Sequence, residues 1–140
     1  MKTVNNIIFG GSGFIGQHII KILQKNYVNY DINKAANNFE YCDVRRVISS
    51  DFPIDAESVI FNLAALCTIP KYEEEDYYET NILGSENICN FAREKNVKTI
   101  IFTSSISPYG MREDERTEEC IPMPTNEYGI SKLVSEYIHR

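Results

Sequence analysis

Ligands for a metal are scarce in this chain. There are two histidines, His18 and His139, and four cysteines, Cys42, Cys67, Cys89 and Cys120, scattered without a CxxC pair. That spacing argues against a zinc site, and the cysteines read as reduced, mostly buried thiols of a cytoplasmic protein. Positive charge is also in short supply. Fourteen Lys and Arg face 20 Asp and Glu, a net charge of −6, which argues against non-specific nucleic-acid binding and against a membrane-surface role. No apolar run reaches the roughly 20 residues of a membrane span. The start, MKTVNNIIFGG, has neither the long apolar stretch nor the small-residue cleavage site of a signal peptide. Repeats and low-complexity tracts are missing too. What is present is 140 residues, 43% hydrophobic and 24% charged, enough for one globular domain with a real core.

Read along the chain, strands and helices alternate. Thr3–Phe9 reads as the first strand, and Phe14–Gln24 as a helix with Ile15, Ile19, Ile20, Ile22 and Leu23 on its apolar face. Tyr27–Asp31 and Phe39–Val44 are further strands, and Arg45–Ser50 a helical turn or short helix. Ser58–Leu63 is a fully apolar strand, Asp76–Lys95 a long helix, and Lys98–Ser104 another buried strand. Ser105–Thr125 is a loop with three prolines, and Asn126–Arg140 a closing helix with Asn126 as a possible N-cap. Strands apolar on both faces and separated by helices predict an α/β fold: a Rossmann-type parallel sheet, strand order 3-2-1-4-5, helices on both faces.

Between the first strand and its helix stands GGSGFIG, with glycines at Gly10, Gly11, Gly13 and Gly16. Glycine suits a tight turn, close approach of a pyrophosphate to the backbone, and close packing of helix on strand. The free N–H groups at the helix start, around Gly13, Phe14, Ile15 and Gly16, can then hold phosphates without a basic side chain. Asp31 follows at the spacing of a ribose-binding acid. A carboxylate there favours NAD over NADP because it repels a 2′-phosphate, although Lys34 is close by. In open parallel sheets ligands bind beyond the C-terminal strand ends. Those ends carry the glycine turn, Asp31, Asp43-Val44, Leu63-Ala64-Ala65 after Asn62, and Thr103-Ser104-Ser105. All five present small or polar groups to one edge. Near the C-terminus, YGISK puts Tyr128 and Lys132 on one helix face, about 6 Å apart along its axis. That spacing fits either a proton-transfer pair or two surface neighbours.

The segments GGSGFIG, Asp31, CDV, NLAA, TNILGSENI, TSSISPYG and YGISKLVSEY stand in an order that resembles the extended short-chain dehydrogenases/reductases. Within them, the chain is most similar to the NAD-dependent epimerase/dehydratase family acting on nucleotide sugars. The resemblance covers nearly the whole chain. It implies NAD as cofactor, with Tyr128, Lys132 and Ser105 as the catalytic group and Ser104 as the fallback for Ser105. It links Asn81 of the TN segment to the site, and it implies that Lys132 also binds the nicotinamide ribose. Free tyrosine has a pKa of about 10, and a lysine cation about 4 Å away is worth about 4 kcal/mol, roughly three pKa units. On that basis Tyr128 is expected to act as a base near neutrality. The resemblance also implies a homodimer built from helices 76–95 and 126–140. Two departures stand out: Phe9 in place of a threonine before the glycines, and Pro108 in place of a β-branched residue before Tyr109-Gly110. Gly84 inside the long helix predicts a close backbone approach to the sheet.

Members of that family continue well past YxxxK into a substrate-gripping domain. The expectation is an N-terminal portion, whether a fragment, a truncated product or half of a two-chain enzyme. Such a portion would retain NAD binding and have weak or no turnover alone. A binding module without catalysis, and a reductase of another carbonyl substrate, are the alternatives.

Overall fold

The computed structural model describes residues 4–34, 37–67, 72–111 and 114–140. Along them run β1 (Asn6–Phe9), α1 (Phe14–Leu23), β2 (Tyr27–Asp31), β3 (Phe39–Tyr41), β4 (Val59–Asn62), α2 (Glu74–Tyr77), α3 (Gly84–Glu94), β5 (Thr99–Phe102) and α4 (Glu127–His139). A π-helical turn, Tyr78–Leu83, joins α2 to α3, and a 3-10 turn, Ser107–Tyr109, follows β5. Thr3, the expected first residue of the first strand, lies outside the described residues.

All strand pairings are parallel and the order is β3-β2-β1-β4-β5, as the alternation of elements predicts. β1 takes the centre because Ile7, Ile8 and Phe9 are fully buried, and only a strand flanked on both edges and both faces can bury an unbroken apolar run. The register aligns Phe9 with Tyr30 and Asn62, and Asn62 with Phe102. The C-terminal ends of these strands are therefore level and form one edge.

Right-handed crossovers put α1 on one face of the sheet and α3 with α4 on the other. The core lies on the α3 face, where Ile7, Phe9, Val28, Tyr30 and Ile60 pack with Ile88, Phe91 and Ala92. The departure at Phe9 is explained here. Its ring stacks on Tyr30 at 5.3 Å and meets Phe91 edge-on at 5.8 Å, so it anchors α3, and burying it stabilises the fold by about 2–3 kcal/mol. The α1 face is barer. Ile101 on β5 is 47% exposed, and the expected apolar face of α1 leaves Ile15 and Ile22 exposed.

Other expectations are corrected. Arg45–Ser50 is not helical. A single turn, closed by Arg46 N–H donating to the Asp43 carbonyl, leads into extended chain, because Asp43 turns back onto Arg45 instead of capping a helix. The long helix starts earlier, at Glu74, where the Asp76 carboxylate accepts the Glu73 N–H, and it is interrupted by the π turn. Of the four cysteines only Cys89 is buried, and Cys67 is exposed. Gly84 does bring the helix close, but to the Val44 side chain: an added Cβ would sit 2.8 Å from Val44 Cγ2. Asn126 caps α4 as expected, its Oδ1 accepting the Gly129 N–H at 2.8 Å.

Candidate active site

The glycine turn is tight on its inner side and open on its outer side. Gly10 has φ +83°, and a Cβ there would meet the Ala64 nitrogen at 2.7 Å, so the turn rests directly on the Leu63-Ala64-Ala65 segment beyond β4. A Cβ on Gly16 would meet Gly11 Cα at 2.4 Å, which locks helix to turn. Gly13 is exposed, and a Cβ there would meet only the Gly10 carbonyl, at 3.4 Å. The start of α1 has no side-chain cap and no acid in its first turn, and Phe14 is 81% exposed. An uncapped helix start above a backbone cradle fits a pyrophosphate. Asp31 ties the turn to β2. Its Oδ2 accepts the Ser12 N–H and its Oδ1 the Asn33 N–H, each at 2.9 Å, while the Ser12 hydroxyl donates to the Asn33 carbonyl. Each carboxylate oxygen retains a lone pair for a ribose hydroxyl. The residues present therefore fit a dinucleotide.

Asp43 is placed differently. Its carboxylate is held by Arg45 through Nε and through Nη2 at 2.7 Å, and the guanidinium keeps it below the usual carboxylate range. Val44 beside it is buried in the core under Gly84. Asn81, 2% exposed, occupies the π turn. Its Oδ1 accepts the Leu66 N–H at 2.8 Å, and its Nδ2 donates to the Leu66 carbonyl at 3.1 Å and to Ser131 Oγ at 2.9 Å. The wider turn also frees the Asn81 carbonyl, which accepts the hydroxyls of Ser85 and Ser135 at 2.6 and 2.7 Å. Asn81 thus fixes the segment beyond β4 against α4, and its side chain is fully engaged by protein.

Tyr128, Lys132 and Ser105 are brought together at the exit of β5. The Ser105 side chain lies beside Tyr128, near enough to draw its phenol pKa down, and Ser105 Oγ is oriented by Ser107, donating to its Oγ and accepting its N–H, both at 3.1 Å. Pro108 is accommodated within the 3-10 turn that makes this possible. Ser104 points elsewhere and donates to Glu136 Oε1 at 2.5 Å. Lys132 is 3% exposed. Its Nζ donates to the Thr103 carbonyl at 2.6 Å and stands 4.1 Å from the centre of the Phe102 ring. Burial pushes this ammonium down to about 8, and the Glu136 carboxylate works against that.

The expected lowering of Tyr128 is not found. Burial pushes its phenol up, and the neighbouring Ser105 side chain offsets only part of this. The reason is that the Lys132 charge is directed to Thr103, and the phenolate has lost its water. Sequence reasoning missed several residues of this site. Glu136, four residues past Lys132 on the same helix face, was visible as a spacing. Asn62 and His139 were not. Asn62 Nδ2 lies 3.1 Å from His139 Nε2, whose ring stacks on Phe102 at 4.2 Å and whose Nδ1 donates to the Ser135 carbonyl at 2.7 Å. That pairing spans 77 residues. Burial pushes the imidazole down, towards its neutral form.

Comparison with known proteins identifies the family and the fold. A model described as the NAD dependent epimerase/dehydratase family matches residues 6–140. N-acetyl-alpha-D-glucosaminyl-diphospho-ditrans,octacis-undecaprenol 4-epimerase of Escherichia coli O157:H7 is 28% identical over 141 residues, covering 97% of this chain and 43% of its own length. UDP-N-acetylglucosamine 4-epimerase from Methanobrevibacter ruminantium M1, solved with UDP-N-acetylmuramic acid, superposes with a TM-score of 0.78 at 25% identity, covering 98% of this chain and 49% of its own. MoeE5, solved with UDP-glucuronic acid and NAD, shares the fold with a TM-score of 0.83 at 24% identity, over 96% of this chain and 48% of its own. The chain spans less than half the length of the curated relatives it matches first.

Proposed function

The chain belongs to the NAD-dependent epimerase/dehydratase family, and from that premise we propose that residues 1–140 form the NAD-binding, proton-transferring part of an enzyme acting on a nucleotide sugar. The observation that carries the reading is the meeting of Tyr128, Ser105 and Lys132 at the same sheet edge as the Gly10–Gly16 turn. In this reading the exposed turn and the uncapped start of α1, at Phe14, Ile15 and Gly16, hold the pyrophosphate. Asp31 accepts a ribose hydroxyl, and Ala64 and Ala65 leave room for a flat ring. Bound NAD supplies the hydride acceptor and, when oxidised, a positive charge. Tyr128 takes the proton from a sugar hydroxyl through its phenolic oxygen, Ser105 hydrogen-bonds the same oxygen and orients it, and Lys132 binds the nicotinamide ribose. In the chain by itself burial holds the phenol up, and a positive charge brought beside it would favour the phenolate.

The substrate-gripping surface corresponds, on this reading, to the half of the relatives that these residues do not match, and four scattered cysteines suit a reducing cytoplasm. Two copies pair through the joined α2–α3 rod and α4, whose Leu83, Ile130 and Tyr137 are exposed. No helix among the described residues is long and apolar enough to cross a membrane. A second reading, an NAD-binding module without catalysis, draws on the upward-shifted phenol of Tyr128. Tyr128→Phe separates the two. In enzyme that includes its substrate-binding portion, turnover of nucleotide sugar falls at least about 100-fold, while NAD affinity measured by calorimetry stays within about twofold. Unchanged turnover refutes the catalytic reading, and absence of NAD binding to the wild type refutes both.

A further inference from the structure

Glu136 stands one helical turn beyond Lys132 and two beyond Tyr128 on α4, and the chemistry described above does not use it. Three consecutive residues leaving β5 each face one residue of this helix face, and two of them are bonded to it. The Thr103 carbonyl accepts from Lys132 Nζ at 2.6 Å, Ser104 Oγ donates to Glu136 Oε1 at 2.5 Å, and the Ser105 side chain lies beside Tyr128. The middle tie fixes the rotamer of Glu136 and the direction in which the chain leaves the strand, so Ser105 follows at a set angle.

A buried ammonium needs a compensating charge as well as a carbonyl. The groups around Lys132 are Tyr128, Glu136 and His139 on α4, Cys67 in the segment beyond β4, and the uncharged Thr103 and Phe102 on β5. His139 is biased to its neutral form by burial. Glu136 is the carboxylate of this set. We propose that Glu136, clamped by Ser104, is a positioning residue that keeps Lys132 an ammonium and fixes the β5 exit so that Ser105 meets Tyr128. Its consequence for catalysis rests on the functional reading above; the charge coupling does not, because it exists without cofactor or substrate.

The test is a pH titration of Lys132 followed by carbon-13 NMR at Cε, with its signal assigned as the one missing from Lys132→Arg. Glu136→Gln keeps an oxygen for Ser104 but removes the charge. The Lys132 midpoint then falls by about one pH unit, which raises the ratio of neutral amine to ammonium about tenfold. Glu136→Asp, which restores a carboxylate, brings the midpoint back most of the way. Ser104→Ala keeps every charge and releases the clamp, giving a smaller fall in the same direction. An unmoved midpoint in Glu136→Gln of native circular dichroism overturns the proposal. Should that variant not fold, an unmoved midpoint in Ser104→Ala overturns it instead. If the midpoint falls but the pH–rate profile of the loaded enzyme is unchanged by Glu136→Gln, the coupling stands and the catalytic reading fails.

Discussion

At the residue scale, the buried polar side chains do the specifying. Asn81→Ala strips partners from the Leu66 N–H and carbonyl and from Ser131 Oγ. A buried donor or acceptor left unpaired costs about 1–3 kcal/mol, so urea denaturation should show a loss of about 3 kcal/mol. Lys132 is the opposite case. Its folded pKa, pushed down to about 8 from 10.5, means that the unfolded chain holds the proton more tightly. Its burial therefore lowers stability at neutral pH, and that penalty is relieved as pH rises from 8 towards 10.5. Cys42, pushed up to about 11 from 9.0 by burial, works in the other direction above pH 9, so the clean window is pH 8 to 9. Lys132→Met should be more stable than wild type at pH 7 by about 1–3 kcal/mol and should lose the rise across that window, as stability curves at several pH values would show. The Tyr128–Lys132 pair was legible because i, i+4 spacing is a property of one helix. The direction of the Tyr128 shift was not, because burial and the Lys132–Thr103 bond arise only from tertiary packing.

At the element scale, the turn before α1 contains two glycines with different reasons to be there. Gly16→Ala drives a Cβ to 2.4 Å from the Gly11 backbone, where nothing can yield, so it should cost several kcal/mol, on the order of the largest overpacking penalties, in a thermal melt. Gly13 has φ −75° and ψ 176°, which any residue adopts. Gly13→Ala should stay within about 0.5 kcal/mol of wild type yet bind NAD at least about tenfold more weakly in calorimetry, because its methyl group enters the cradle. A Gly13→Ala protein that binds NAD as wild type does would remove the cradle from the account. The GGSGFIG pattern made this element readable, since glycine spacing before a helix is local information. The π turn was unreadable because its apolar pattern is that of an ordinary helix. Only Gly84, placed where α3 meets Val44, hinted that the rod was under constraint there. Arg45–Ser50 misled for a comparable reason: its composition suits a helix, but Asp43 pairs with Arg45 instead of capping one.

At the scale of the whole molecule, the core is one-sided. The α3 face is closed, while Ile101 lies half-exposed on the edge strand β5 and Ile22 is 79% exposed on α1. An uncovered apolar edge strand pairs readily with another chain. Residues 1–140 alone should therefore self-associate with rising concentration, and Ile101→Lys should reduce this in sedimentation experiments without lowering stability by more than about 0.5 kcal/mol. The strand order was legible because five apolar runs joined by helices leave few topologies; the bareness of one face was not, because apolar residues in sequence do not reveal what covers them. The π turn reaches furthest across the molecule, since through Asn81 it joins the segment beyond β4 to both helical layers of one face. Deleting Ile82 or Leu83 would rotate everything before it by about 100° relative to α3, swinging Asn81 away from Leu66 and Ser131 together. Length changes in that interval should therefore be tolerated less than most substitutions within it, and insertions or deletions there should abolish folding or function in a variant library where substitutions survive.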